Sequence, residues 1–132
     1  MDLLPAIHRC SERLAREPDH HETAEAVHQA LDLADAVSRP TPEHVEQLGQ
    51  GWTGEEALAI SLFCALKAED FAHGVLLAVN HGGDSDSTGS ITGNILGLMN
   101  GEASLPQAWL DRLELREVIA DMADALWKSR AA

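Results

Sequence analysis

Apolar residues recur along this chain at helical intervals, and breakers punctuate them. Leu3, Leu4, Ile7 and Leu14 form an approximate stripe, with Pro5 early enough in the helix to be tolerated. Glu17-Pro18-Asp19 ends that segment. A second helix is predicted from about His21 to Val37, with Ala24, Val27, Leu31 and Ala34 on one face, and Ser38-Arg39-Pro40 stops it. Thr41-Pro42-Glu43 starts a short helix that ends near Gly49-Gln50-Gly51. Thr53-Gly54-Glu55-Glu56 has the form of a capping box. The segment behind it, ALAISLFCALKA, is apolar nearly all round, so it belongs at the centre of the core. Further helices are predicted from Phe71 to Val79, after Asp84, and, beyond a linker with Pro106, from Leu113 to about Trp127 with Val118, Met122 and Leu126 apolar. No strand-like alternation appears. The pattern predicts an all-α fold of six or seven helices forming one domain over residues 1–132.

Composition narrows the function classes. The chain is 45% hydrophobic, which excludes a disordered protein, and it has no tyrosine. Its formal net charge of −13 repels phosphate backbones, so nucleic-acid binding through a basic surface is not expected. Cys10 and Cys64 form no CxxC pair and suit a reducing compartment. The N-terminus lacks the basic start and apolar run of a signal peptide, and FAHGVLLAVN is too short to cross a bilayer. The expectation is a soluble cytoplasmic protein with no membrane partner.

One stretch departs from this background. In NHGGDSDSTGSITGN, two glycines precede acid, hydroxyl, acid, hydroxyl, hydroxyl, where a helix should begin. Asp and Ser are preferred N-caps, and Gly-Gly-Asp-Ser is good turn chemistry, so one aspartate is explained structurally. Two aspartates with three hydroxyls exceed what a cap needs. Asp84, Asp86 and Ser87 offer hard oxygens, which select Mg²⁺, Ca²⁺ or Mn²⁺ over zinc. Gly82 and Gly83 let the backbone bend so that the carboxylates converge, and the N–H groups of the first turn suit an anion such as a phosphate. His81, Gly82, Gly83, Ser85, Thr88 and Gly89 complete the candidate ligand-contacting set. Beyond them Gly89, Gly93, Gly97 and Gly101 recur every fourth residue, which points to close packing in the core for the later ones.

These residues carry a resemblance. AVNHGGDSDSTGSITGNILGLMNG resembles the C-terminal metal motif of the ADP-ribosylglycohydrolases, the dinitrogen-reductase-activating glycohydrolase family. GQGWTGEEALAISLFCAL is similar to the segment that precedes the motif in bacterial members, and the match runs from about Val27 to Ile119. The resemblance implies a compact orthogonal helical domain like the C-terminal half of that fold. It also implies hydrolysis of the bond joining ADP-ribose to an acceptor at a Mg²⁺ centre (Mn²⁺ being the alternative ion), with Asp84, Asp86 and Ser87 as metal ligands. The family's other metal half-site is a Thr-Asp-Asp run, which this sequence lacks. The general base therefore has to come from elsewhere. The alternative is a non-catalytic module that binds ADP-ribose or a nucleotide, or a structural protein retaining half of the metal site. Helices that would cover the central apolar helix and the glycine face are missing from the sequence, so a homodimer or a complementing N-terminal half is expected.

Other candidates have plainer readings. His21, Glu25 and His28 share one helical face, where zinc or nickel is conceivable, but HETAE lacks the second histidine of HExxH and reads as an exposed stripe. His81 reads equally as a ligand contact or as a turn histidine bonded to backbone. Trp52 reads first as a hydrophobic staple with Ala57, and alternatively as a wall of the ligand cleft. Glu55 and Glu56 fit capping, Cys64 fits the core, and no GxSxG nucleophile elbow occurs.

Overall fold

The computed structural model describes residues 2–130, and these contain eight α-helices and no strand. Six helices are long: α1 Leu3–Leu14, α2 His21–Ala36, α4 Gly54–Leu66, α5 Phe71–Val79, α6 Ser85–Asn100 and α8 Arg116–Ser129. Two have four residues each, α3 Pro42–Val45 and α7 Gln107–Leu110. The predicted linker around Pro106 thus contains a 3-10 turn, Glu102–Ser104, and the single turn of α7. The last helix begins at Arg116 rather than Leu113, because Leu115 takes a left-handed conformation at φ 56° that helices do not propagate. None of the helices is long and apolar enough to cross a membrane.

Helix α4 is the axis of the core, as its uniform apolarity requires. Ala57 and every residue from Ala59 to Ala65 are buried, with Ile60, Phe63 and Cys64 fully enclosed. Burial pushes the Cys64 thiol up to about 12, which leaves it inert as a nucleophile near neutral pH. Helix α2 packs along α4, and α6 packs on both α4 and α5. Lys67 Nζ donates to the Ala34 carbonyl (3.1 Å), tying the end of α4 to the last turn of α2.

The glycine series on α6 divides into three cases. A Cβ at Gly89 would fall 2.5 Å from Val79 Cγ1, so this is the close approach between α5 and α6. At Gly93 and Gly97 the nearest atoms, on Val75 and Phe71, stand 3.8–4.0 Å away, which is ordinary contact. Gly101 ends the helix at φ 77°, donating its N–H to Gly97 O (2.9 Å). Gly93→Ala and Gly97→Ala are each expected to raise stability by about 0.5 kcal/mol by restricting the unfolded chain, whereas Gly101→Ala should lower it by about 1 kcal/mol. Thermal unfolding of the three variants checks both signs.

The uncovered apolar surface lies elsewhere than the sequence suggested. α2, α5 and α6 already enclose α4, and α5 faces the glycine stripe. What stands open is α8. Every residue from Asp111 to Arg130 is exposed, including Val118, Ile119, Met122, Leu126 and Trp127. Helix periodicity identified that apolar face correctly, but the fold gives it nothing to pack on.

Candidate functional site

The unusual stretch forms the turn between α5 and α6, and a second loop fixes it. Asn80 Nδ2 closes α5 by donating to Leu76 O (2.6 Å). Asp84 is the N-cap of α6, its Oδ1 accepting from Ser87 N at 3.4 Å. The Asp84 amide donates to Gln50 O (2.7 Å), and Gly83 passes so close that any Cβ there would overlap the Gln50 carbonyl. The Gly82 amide donates to Glu46 Oε1 (3.2 Å). Thus residues far apart in sequence hold the turn's backbone from outside.

The opposing loop has its own anchor. Thr53 caps α4 by accepting from Glu56 N at 3.4 Å, as the capping-box pattern requires. The Glu56 carboxylate reaches further back than a box predicts. Its Oε2 accepts from the amides of Gln50 (3.2 Å), Gly51 (3.0 Å) and Trp52 (3.2 Å). Three orphan donors are satisfied by one charged oxygen, which fixes where Gln50 presents its carbonyl.

Beneath the turn runs a polar relay. Gly83 N–H donates to His81 Nδ1 (3.1 Å), so the ring carries its hydrogen on Nε2 and donates to Thr88 Oγ1 (3.0 Å). The Thr88 hydroxyl donates in turn to Ala78 O (2.8 Å). Thr88 is fully buried and His81 nearly so. Both ring nitrogens of His81 are engaged inside the protein, which is the turn-histidine reading, and the Thr88 hydroxyl is likewise committed. Gly89, the third of this group, accommodates Val79.

The unused oxygens point outward. Asp86 is exposed, while Asp84 and Ser87 are half-buried at the surface. Hydrogen bonding with the Asp86 carboxyl, then with the Ser87 hydroxyl, holds Asp84 below the usual carboxylate range, with the His81 ring adding a smaller effect. Asp84 is therefore ionised throughout the neutral range, as a metal ligand must be. Two carboxylates and a hydroxyl are hard donors, and their chemistry fits Mg²⁺ or Mn²⁺. Such ions take about six oxygens, so this turn supplies only part of a coordination sphere. Consistently, no group of three His, Cys, Asp or Glu side chains among the described residues is already placed to hold an ion.

The remaining candidates sort by position. Ser85 Oγ donates to His81 O (3.2 Å) and bends inward on the turn. Trp52 is 68% exposed, too open for a staple; its Nε1 donates to Gln50 Oε1 (3.0 Å), leaving the indole face on the loop beside the turn. Sequence reasoning did not find Glu46, and it understated Glu56. The Gly49-Gln50-Gly51 triplet was the available signal. Gly49 at φ 109° and Gly51 at φ 79° allow a tight loop from which three amides can turn toward one carboxylate.

Known proteins resemble this chain over much of its length. The family model described as ADP-ribosylglycohydrolase matches residues 2–132. The ADP-ribosylarginine hydrolase Tri1 of Serratia proteamaculans (strain 568) is 33% identical over 72 residues, covering 54% of this chain and 20% of that protein. An uncharacterized protein of Archaeoglobus fulgidus is 30% identical over 105 residues, covering 80% of this chain and 33% of that protein. The matched segments thus span a fifth to a third of those relatives. No solved structure gives a significant match.

Proposed function

The chain belongs to the ADP-ribosylglycohydrolase family, and from that premise we propose that Asp84, Asp86 and Ser87 hold one side of a Mg²⁺ centre that binds ADP-ribose. Mn²⁺ would serve as the alternative ion. The observation that carries this reading is the contrast within the turn. His81 and Thr88 are spent on internal hydrogen bonds, while Asp84 and Asp86 are adjacent, ionisable and outward. A cap needs only Asp84. A bound ion would supply Lewis acidity and fix the orientation of ribose hydroxyls and water.

The chain's own residues have separable parts in this proposal. Asp84 and Asp86 bring charge, Ser87 brings a neutral oxygen, and Gln50, Glu46 and Glu56 position the turn. The Asp86 amide, which makes no hydrogen bond among the described residues, donates to a phosphate oxygen, and the exposed Trp52 face lies against the base. The acceptor to test first is ADP-ribosylated arginine, in view of the Serratia relative's name. Ligands for the rest of the metal, and the general base, come from residues outside this turn. The incomplete donor set equally favours a second reading, in which the chain binds ADP-ribose without turnover.

Calorimetric titration of ADP-ribose with and without Mg²⁺ tests the site, using Asp84→Asn/Asp86→Asn as the control. Asparagine still caps a helix but removes the charge, so the variant keeps the fold and isolates the metal role. Mg²⁺-dependent binding that weakens by at least about tenfold in the variant is expected; that is about 1.4 kcal/mol. Equal affinity with and without Mg²⁺, or in both proteins, would reduce the motif to a turn. Release of ADP-ribose from an arginine conjugate separates hydrolase from binding module.

The apolar face of α8 is where this proposal places a partner surface, whether another copy or a complementing half. Light scattering on the isolated chain should show a dimer or larger species. A well-folded monomer would remove the homodimer form of the proposal.

A further inference from the structure

The helical hairpin of α1 and α2 has two faces. On one, His8 and Glu12 of α1 stand opposite His21, Glu25 and His28 of α2, all open to water. On the other, an apolar groove of about 390 Å³ runs the whole length of α1, from Leu3 through Ala6 and Cys10 to Leu14. Val27 of α2 and Leu58 and Leu62 of α4 complete it, and only Ser11 and Thr23 among its lining residues are polar.

The edge of this groove is charged against the trend of the molecule. The chain has a formal net charge of −13, yet three of its nine Lys and Arg residues, Arg9, Arg13 and Arg16, form one stripe on α1 and the turn after it. Arg9 and Arg13 lie three residues beyond the groove-lining Ala6 and Cys10, which makes them neighbours on the helix surface. All three arginines are exposed, and none pairs with a carboxylate among the described residues. A basic edge on an apolar groove fits an amphipathic helix with an acidic flank. α8 is such a helix. Val118, Ile119, Met122 and Leu126 form its unpartnered apolar face, and Glu117, Asp121 and Asp124 repeat the i, i+4, i+7 spacing of the arginines.

We propose that the groove receives α8 of a second copy of this chain, while the second copy's groove receives α8 of the first, giving a closed two-fold dimer. This rests on the reading of α8 as a partner surface and adds what lies against it. The helix comes from another copy because every residue from Asp111 to Arg130 is exposed on its own chain. The lengths agree: at about 1.5 Å per residue, the 12 residues of α1 and the 14 of α8 span about 18 and 21 Å. Antiparallel docking sets Glu117, Asp121 and Asp124 level with Arg16, Arg13 and Arg9, and brings Arg130 to Asp2 at the far end. The same register puts Ile119 at Leu14, Met122 at Cys10 and Leu126 at Ala6. Burying one such side chain removes roughly 60–120 Å² from water. With two helices and two grooves, the contact reaches the roughly 1,200–2,000 Å² of a stable interface.

Light scattering and sedimentation over a concentration series test the pairing with two charge reversals, Arg9→Glu/Arg13→Glu and Glu117→Arg/Asp121→Arg. All four positions are exposed and outside the core. The wild type is expected to dimerise, and each variant alone to raise the dimer Kd at least about tenfold. Cys10→Glu, in the groove itself, should dissociate the pair as well. Mixed in equal amounts, the two charge variants should pair at least about tenfold more tightly than either alone. In the mixed dimer one contact is native and the other joins the new glutamates to the new arginines. A dimer indifferent to Arg9→Glu/Arg13→Glu and to Cys10→Glu overturns the groove while leaving a partner on α8. A mixture no tighter than its components overturns the reciprocal pairing. A monomer at every concentration removes this proposal together with the homodimer reading of α8.

Discussion

Gly83→Ala is expected to lower the stability of the domain by about 3 kcal/mol and to remove any Mg²⁺-dependent ligand binding, since an overpacked methyl here meets backbone rather than a movable side chain. The added Cβ would overlap the Gln50 carbonyl oxygen and lie 2.6 Å from its carbonyl carbon. The two loops must then separate, and the Asp84 N–H···O=C Gln50 bond at 2.7 Å is lost with them. Its neighbour provides the control. A Cβ at Gly82 would meet only Glu46 Oε1 at 3.5 Å, so Gly82→Ala should stay within about 0.5 kcal/mol of wild type. Chemical denaturation of both variants measures the difference. Equal stability of the two would show that the loops do not cross at Gly83 as described.

Glu56→Ala should cost about 2 kcal/mol, because one charged acceptor serves three backbone donors. The amides of Gln50, Gly51 and Trp52 would lose their shared partner, and Gly51 is buried, so water replaces it poorly. Glu56→Gln should fall between, since an amide oxygen still accepts but carries no charge. Glu55→Ala, in the same turn of α4 but with no side-chain hydrogen bond among the described residues, should cost only a few tenths of a kcal/mol through the helix dipole. Denaturation midpoints of the three variants give the order directly. If Glu55 and Glu56 behave alike, the carboxylate does no more than an ordinary first-turn acid.

These two pairs of neighbours show where sequence stops being informative. Gly82 and Gly83 are the same residue in the same motif, and Glu55 and Glu56 share one helical turn. Their roles differ only through a loop lying more than twenty-five residues away from the glycines. By contrast, local signals placed the long helices well. Thr53 marked the start of α4, Pro18 and Pro40 bounded α2, and the nearly all-round apolarity of Ala57–Ala65, broken only by Ser61, located the core axis. Those features depend on caps, breakers and periodicity, which a chain carries with it. Leu115, a residue with no preference for positive φ, gave no warning that α8 would start late.

The candidate site was legible in a similar, partial way. The oxygen donors Asp84, Asp86 and Ser87 could be read from spacing and residue chemistry. The distinction between outward donors and the inward His81–Thr88 relay could not, because it depends on which face of the turn packs against α5. Periodicity likewise named the apolar face of α8 and the histidine stripe of α2, but not what stands opposite either. A helix pattern specifies which side is sticky; only the fold says whether that side has a neighbour.

For α8 this has a thermodynamic consequence. A fourteen-residue helix with no packing partner is close to the length at which winding barely offsets its own nucleation in water. Whatever covers Ile119, Met122 and Leu126 therefore does more than hide carbon from solvent. Under the proposed association a partner would supply the free energy that keeps the last turns wound, so association and helix formation there would be a single equilibrium. The amount of α-helix per chain would then be a function of concentration, either of this protein or of a partner.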